Sequence, residues 1–150
     1  MSGFDHLLPF QVRASQQIVN RYLKLTEDPE RPAYTATRPV PFYEALSALT
    51  GAGKTPILAD AVSQMRTTME VQPIVLWISK AKAVVDQTFA NMEPGGKYNH
   101  LIDPFTVGYL ADLSPEAISD EDTPVLAIAT VGTFNQKEKG DGTLNVHKVK

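Results

Sequence analysis

Apolar residues follow two different spacings along this 150-residue chain, and their alternation predicts an α/β fold. "PIVLWIS" (73–79) and "PVLAIAT" (124–130) are apolar without alternation, which is typical of strands buried on both faces of a parallel sheet. "FTVGY" (105–109) predicts a shorter strand, and "FYEALSAL" (42–49) another. Helical patterns separate these runs, so we expect a mostly parallel sheet with helices packed on it.

Three longer segments have the apolar spacing of amphipathic helices. The first includes "LPFQVRASQQIVNRYLKL", where Pro9 suits the first turn. Its apolar positions are Val12, Val19, Tyr22 and Leu23. The second begins at Lys54, with a stripe of Ile57, Leu58, Ala61, Val62, Met65 and Met69. The third is "KAVVDQTFANM" (82–92), which directs Val84, Val85, Phe89 and Met92 inward.

Proline and glycine residues divide the chain into an N-terminal helical segment, a loop and an α/β core. Residues 1–24 contain the first helix, and residues 25–41 form a proline-rich loop with four prolines and no periodicity. The core occupies residues 42–150. Within it "EPGGKYN" predicts a loop, and "SPEAI" predicts one helical turn capped by Ser114 with Pro115 at its first position.

Composition excludes several classes of protein and site. No run of about 18 apolar residues occurs, so we expect no membrane partner. The absence of cysteine excludes disulfides and thiolate metal sites and suits a reducing cytoplasm. The net charge of −3 excludes a uniformly basic nucleic-acid clamp. The histidines His6, His100 and His147 are far apart in sequence, and we interpret them as surface or structural residues.

"TGAGKT" (50–55) is the stretch with the clearest chemistry. Gly51 and Gly53 allow a tight turn that approaches phosphate without a β-carbon in the way. Backbone amides from residue 51 to 55 then meet an anion at a helix N-terminus. Lys54 can reach the β and γ phosphates, and the Thr55 hydroxyl can bind Mg²⁺. We therefore predict a nucleotide and Mg²⁺ site made of Thr50, Gly51, Ala52, Gly53, Lys54 and Thr55, with Lys54 as the catalytic residue.

Read as A-x-T-G-x-G-K-T, residues 48–55 resemble motif I of superfamily 2 helicases and translocases. "LPFQVRASQQI" resembles the glutamine motif of that group, and "VLWISKAKAVVDQTFANM" resembles its motif Ia. "VLAIATVGTFNQKEKGDGTLNVHK" is similar to the segment before the DExH box in type III restriction enzyme res subunits. The resemblance implies the N-terminal RecA-like domain of an ATP-driven motor that tracks along DNA.

The family's functional residues transfer to individual positions here. The resemblance implies that Gln11 reads adenine and that Ser79, Lys80 and Thr130 contact the DNA backbone. Lys80 stands where the family usually has proline, which changes the turn after the strand. It further implies a second RecA-like domain and a modification subunit as partners of the parent protein.

The acids that complete such a site do not follow a strand in this sequence. Hydrolysis by motor ATPases uses an aspartate that helps to hold Mg²⁺ and a glutamate that positions water. No D-E-x-H or D-E-x-D occurs, "SDEDT" precedes the strand at 124–130, and Asp103 follows only two apolar residues. We therefore expect an N-terminal part of a P-loop RecA-like domain, incomplete at its C-terminus, that binds nucleotide weakly and hydrolyses little or none.

Two alternatives remain. One is a degenerate P-loop module that binds nucleotide without catalysis, which the missing acids favour. The other is a P-loop kinase or GTPase, although neither an arginine-bearing lid nor an N-K-x-D base reader is found.

Overall fold

A computed structural model describes residues 7–27, 43–49 and 51–135, in two compact units. The first unit extends to Thr67 and contains helices α1 (Pro9–Thr26) and α2 (Lys54–Arg66). The second begins at Thr68 and contains a sheet with its helices. Its elements are β1 (Ile74–Ser79), α3 (Lys82–Met92), α4 (Asn99–Ile102), β2 (Thr106–Tyr109), α5 (Pro115–Ser119), β3 (Val125–Thr130) and α6 (Gly132–Asn135).

Helix α1 packs against α2 through a stripe that is largely polar. Its buried residues are Gln11, Ser15 and Val19, spaced four apart and therefore on one face of the helix. Of the predicted apolar stripe, Val19 is buried and the other three residues are half-buried. Apolar periodicity alone could not find Gln11 and Ser15, because polar residues are buried only where specific partners satisfy them.

Those partners come from the facing side of α2. The Ser15 hydroxyl donates a hydrogen bond to the Asp60 carboxylate. The Gln64 side-chain amide donates to Ser15 Oγ at 3.0 Å and to Asp60 Oδ2 at 2.6 Å. The cluster fixes one register of α1 on α2, because a shift of either helix would leave buried polar atoms without partners.

We expect Ser15→Ala to lower the free energy of unfolding by about 1 kcal/mol, because Asp60 and Gln64 each lose a hydrogen-bond partner. Urea denaturation followed by far-UV circular dichroism measures the change. Ser47→Ala is the control, since Ser47 is exposed in the same unit. Equal midpoints for the two variants would show that the cluster does not stabilise the helix pair.

The strand predicted at 42–49 is wrong. Residues 43–49 contain no strand, and Phe42 lies outside the described residues. The segment keeps a two-residue alternation, with Glu44, Leu46 and Ala48 half-buried between exposed neighbours. Side-chain alternation predicts an extended chain, whereas a strand also needs a partner for its backbone. Glu44 is instead paired with Arg21 of α1 at 3.2 Å.

Helix α2 begins at Lys54 as predicted but ends at Arg66, short of Met69. The Thr67 hydroxyl donates to the Gln64 carbonyl oxygen at 2.7 Å and so satisfies one of the last carbonyls of the helix. Ile57 and Ala61 of the predicted stripe are buried, together with Pro56 and Ala59. Helix α1 in turn extends two residues beyond residue 24, and most of the proline-rich loop lies outside the described residues.

The second unit is built on a three-stranded sheet in the order β1-β3-β2, with both pairs parallel. Val125 aligns with Ile74 of β1 and Thr106 of β2, and Ile128 aligns with Trp77 and Tyr109. This confirms the predicted α/β fold with a parallel sheet, which is an open sheet compatible with a RecA-like domain.

Strand β3 is buried from Val125 to Ala129 because it is central and covered on both faces. On one face Val125, Ala127 and Ala129 form a core with Leu110, Leu113 and Ile118. The other face carries Leu126 and Ile128, and α3 packs against all three strands.

Strand β1 is less buried than its apolar sequence predicts, because it lies at the edge of the described sheet. Ile74 is 44% exposed and Ile78 is 46% exposed, while Trp77, in a run predicted to be buried on both faces, is half-buried. Helix α3 has the predicted bounds and buries Val85 and Met92, but Val84 points outward and is 46% exposed.

The short elements follow local sequence chemistry. The predicted turn "SPEAI" is α5, where Ser114 Oγ accepts a hydrogen bond from the Ala117 amide at 3.1 Å. The helical turns α4 and α6 were not predicted, since four residues are too few to show a period. Within the described ranges, no helix combines the length and apolarity that a membrane crossing requires.

Candidate functional site

The loop before α2 turns through two left-handed glycines. Gly51 has φ 83° and Gly53 has φ 79°, a region that residues with a β-carbon rarely adopt. A β-carbon at Gly51 would meet no atom within 4 Å, whereas one at Gly53 would overlap Nε2 of Gln11. Both positions therefore favour glycine because of their positive φ angles. At Gly53 a β-carbon would also overlap the Gln11 side chain.

Gly53 is the N-cap of α2, and the first amides of the helix have no acceptor among the described residues. The first hydrogen bond of the helix runs from the Ile57 amide to the Gly53 carbonyl at 3.3 Å. The amides of Gly53, Lys54 and Thr55 precede that bond, so the helix itself supplies no acceptor for them. No side chain caps this end, and its first turn holds no acidic residue. The terminus thus presents donors and a favourable dipole to a negative group.

One amide of the predicted set is used inside the loop. The Ala52 amide donates to the Leu49 carbonyl oxygen at 3.1 Å. The Lys54 ammonium donates to the same oxygen at 3.3 Å, so its side chain folds back along the loop. Lys54 and Thr55 are both half-buried at the start of α2, and Thr50 lies outside the described residues. The side chain of Lys54 therefore lies along the loop that precedes the helix.

Gln11 is the residue of α1 that contacts this loop. Its Nε2 donates to the Ala52 carbonyl oxygen at 3.1 Å, and its Oε1 accepts from the Leu8 amide at 2.8 Å. The side chain is buried, with 9% of the residue exposed. The structure thus joins Gln11 to the glycine turn across 41 residues of sequence. Its bonds to the described residues use one of its two N–H groups and part of its carbonyl acceptor capacity.

The described residues contain no group of three or more His, Asp or Glu side chains that could hold a metal ion by itself. Thr55 supplies one hydroxyl at the helix start. Mg²⁺ in nucleotide sites takes most of its ligands from phosphate oxygens and water. The residues present therefore fit Mg²⁺ as a companion of a bound triphosphate and not as an independent site.

The three residues predicted to contact DNA lie at one edge of the sheet in the second unit. Ser79 and Thr130 end β1 and β3 and are directly aligned, and the Val131 amide donates to the Ser79 carbonyl at 3.0 Å. Lys80 follows Ser79 and is exposed. The Thr130 hydroxyl lies 3.2 Å from that of Thr133. This is the carboxyl edge of a parallel sheet, where ligands of open α/β folds bind.

The acidic residues weighed as candidate magnesium ligands lie before strands and not after them. Asp103 is the C-cap of α4 and precedes β2. Asp120, Glu121 and Asp122 precede β3, and all four side chains are exposed. His100 is exposed as expected, and His6 and His147 lie outside the described residues.

A second polar group at the carboxyl edge was missed by the sequence argument. Lys82 donates to Asp86 Oδ2 at 2.6 Å, and the Tyr109 hydroxyl donates to Asp86 Oδ1 at 3.0 Å. The Lys82 bond, aided by that of Tyr109, lowers the pKa of Asp86, and Asp86 raises the pKa of Lys82. Burial, followed by the hydrogen bond to Asp86, raises the pKa of Tyr109. At neutral pH the group is thus a carboxylate between an ammonium and a neutral phenol. Its Lys-Asp spacing of four is visible in the sequence, but the partnership with Tyr109 is not.

This group borders a cavity of about 260 Å³, named here the edge cavity. Its apolar wall is formed by Val85, Leu110, Ala111, Ile128 and Ala129. Its polar residues are Lys82, Asp86, Tyr109, Asp112, Thr130 and Thr133. An apolar wall with a few polar groups at the carboxyl ends of strands is the usual form of a small ligand site.

No protein-family model, curated protein or solved structure matches this chain. What can be inferred about function therefore depends on the glycine loop of the first unit and the carboxyl edge of the second.

Proposed function

We propose that this chain is the ATP-binding portion of a DNA-dependent ATPase of superfamily 2, most like a type III restriction res subunit. The observation that carries the proposal is the turn into α2, where left-handed Gly51 and Gly53 precede a lysine and a threonine. The start of this helix carries the amides of residues 53–55, which have no acceptor among the described residues, together with an ammonium and a hydroxyl, and its first turn holds no acidic residue. That combination favours a phosphate chain over other ligands.

Each residue has a role in binding the triphosphate. The amides of Gly53, Lys54 and Thr55 donate hydrogen bonds to phosphate oxygens. Lys54 exchanges its bond to the neutral Leu49 carbonyl for a bond to an anionic phosphate oxygen, which is stronger because both partners are charged. Thr55 offers its hydroxyl to Mg²⁺, which when bound neutralises charge on the β and γ phosphates.

The position of Gln11 supports the proposal that the bound nucleotide is ATP, because Gln11 can bind its adenine base. A glutamine motif at residue 11 is supported by the hydrogen bond that Gln11 donates to the Ala52 carbonyl oxygen of the glycine loop. The remaining N–H of its amide is a donor for an adenine ring nitrogen. A second function for the same residue, holding the loop, follows directly from its bond to Ala52.

The DNA-tracking part of the proposal is supported by Ser79, Lys80 and Thr130 at one sheet edge. Two hydroxyls and an ammonium are suited to contact phosphate without reading sequence. A second RecA-like domain, a modification subunit and a cytoplasmic setting belong to the same proposal for the parent protein.

A nucleotide-binding module without a DNA-coupled cycle is the second candidate. It is favoured by one observation, that Asp103 and the acidic run 120–122, the acids considered as magnesium ligands, lie before strands β2 and β3. Such a module would have the same phosphate site as the proposed ATPase, but its affinity for ATP would not change when DNA is added.

Titration of the whole chain with ATP, ADP and adenosine in the presence of Mg²⁺ tests the phosphate site. We expect affinity to fall in that order, by about tenfold for each charge-assisted hydrogen bond that the smaller ligand cannot make. Isothermal titration calorimetry with and without single-stranded DNA separates the two candidates. Equal affinity for ATP and adenosine would contradict the proposal, and an ATP affinity insensitive to DNA would favour the binding module.

A further inference from the structure

We propose that the edge cavity holds one nucleobase of single-stranded DNA and favours a base that carries an exocyclic amino group. The inference depends on the proposed function only in taking DNA as the partner. Its evidence comes from residues of the second unit that the phosphate site does not use.

The size and wall of the edge cavity suit a single ring system. Its volume of about 260 Å³ is slightly below the range of pockets that enclose drug-sized ligands, about 300 to 1,000 Å³. The wall includes Val85, Leu110 and Ile128, which are apolar and buried. A base has an apolar ring face and a polar edge, whereas a sugar or phosphate would leave its polar atoms against aliphatic carbon.

The charged residues at the cavity carry a net negative charge, which favours ligands with hydrogen-bond donors and disfavours anions. Two carboxylates, Asp86 and Asp112, and one ammonium, Lys82, border it. Asp86 is already bonded to Lys82 and Tyr109, while the exposed side chain of Asp112 makes no hydrogen bond or ion pair with the other described residues. Carboxylates accept hydrogen bonds from the amino group of cytosine, and adenine and guanine also carry such groups. Thymine has a carbonyl oxygen in that position and would face a carboxylate without a donor.

The cavity is joined to the predicted path of the DNA backbone. Thr130 lines the cavity and is aligned with Ser79, whose chain continues into exposed Lys80. A phosphate near Ser79 and Lys80 would therefore place its nucleotide beside the opening. Proteins that bind single strands commonly combine such a basic backbone contact with a recess for unstacked bases.

Contacts between α3 and β2 support one side of the cavity. The rings of Phe89 and Tyr109 are stacked, with centroids 4.4 Å apart. The Tyr109 hydroxyl is bonded to Asp86, which is bonded to Lys82 in the first turn of α3. These contacts join α3 to the end of β2, so recognition by the cavity requires little ordering of side chains.

Fluorescence anisotropy with labelled dC12 and dT12 tests the inference on the whole chain. We expect the wild type to bind dC12 about tenfold more tightly than dT12. Asp112→Ala removes the exposed acceptor and should abolish the preference. Ala111→Leu fills the cavity from its exposed rim and should lower dC12 affinity to that of dT12. Lys80→Ala is the matched control, because loss of a phosphate contact weakens both oligonucleotides equally.

Equal binding of dC12 and dT12 by the wild type would overturn the inference, as would an unchanged preference in both Asp112→Ala and Ala111→Leu. Circular dichroism of each variant verifies folding, and exposed Asp112 makes its alanine variant the safer test. ATP titration of the same preparations distinguishes the two proposals. If the wild type does not bind ATP but still prefers dC12, only the phosphate site is overturned. If it binds ATP but shows no preference for dC12, only the cavity proposal is overturned. Failure to bind either oligonucleotide overturns the cavity and the DNA part of the proposed function together.

Discussion

Gly53→Ala is expected to destabilise the first unit by about 2 to 3 kcal/mol, the largest stability effect of any single change described here. A residue with a β-carbon in the left-handed region costs about 1 to 2 kcal/mol. The new β-carbon would also displace the Gln11 side-chain amide. Loss of the hydrogen bond from Gln11 to the Ala52 carbonyl adds about 1 kcal/mol. ATP affinity should fall as well, because the displaced turn aims the amides that meet phosphate.

Gly51→Ala separates the two causes. Its φ of 83° is as strained as that of Gly53, but a β-carbon there meets nothing within 4 Å. We expect this variant to lose only about 1 to 2 kcal/mol. Adding Gln11→Ala to Gly53→Ala should recover about 1 kcal/mol relative to additivity, since the displaced partner is gone. Urea denaturation of the set measures these differences. Equal losses for Gly51→Ala and Gly53→Ala would show that Gln11 does not brace the loop.

The parts of the fold that the sequence predicts correctly are those whose cause is local. Strands β1, β2 and β3, helix α3 and the Ser114 cap all lie at their predicted positions, because apolar runs, helical spacing and capping side chains act within a few residues. The error at residues 43–49 has a different origin. Alternation of side chains is local, but the ladder that makes a strand depends on a distant partner.

The burial of a residue is also hard to predict from a short stretch of sequence, because it depends on distant parts of the chain. Strands β1 and β3 have similar apolar sequences, yet β3 is central and buried while Ile74 and Ile78 of β1 are exposed at an edge. Strand order is set by the whole sheet, so no short window reveals it. Ser15 was overlooked for the converse reason, since its burial depends on Asp60 and Gln64, which are more than forty residues away.

In the candidate site, too, the features with a local cause could be predicted and those that join separate elements could not. The turn at Gly51 and Gly53 and the helix start at Lys54 follow from residue types, and the structure has both. The alignment of Ser79 with Thr130 could be expected from two parallel strands. The bond from Gln11 to Ala52 and the group of Lys82, Asp86 and Tyr109 join separate elements, and only the fold reveals them.

Lys54→Ala is the second variant with a large expected effect. Lys54 is the only cation in the "TGAGKT" segment, and its ammonium is bonded to the loop at the Leu49 carbonyl. Loss of a charge-assisted bond to phosphate costs about 1.5 to 3 kcal/mol, so ATP should bind about 10- to 100-fold more weakly. The free energy of unfolding should change little, because the bond replaced is an exposed one. Lys24→Ala removes the same charge from an exposed position at the end of α1 and serves as the control.

The most direct test of the phosphate site is an equilibrium titration of the whole chain with a fluorescent ATP analogue in Mg²⁺, repeated with Lys54→Ala and Lys24→Ala. The account predicts saturable binding by the wild type and Lys24→Ala, and binding weakened at least tenfold in Lys54→Ala. Equal affinity of all three proteins for the analogue would contradict a phosphate site at the glycine turn.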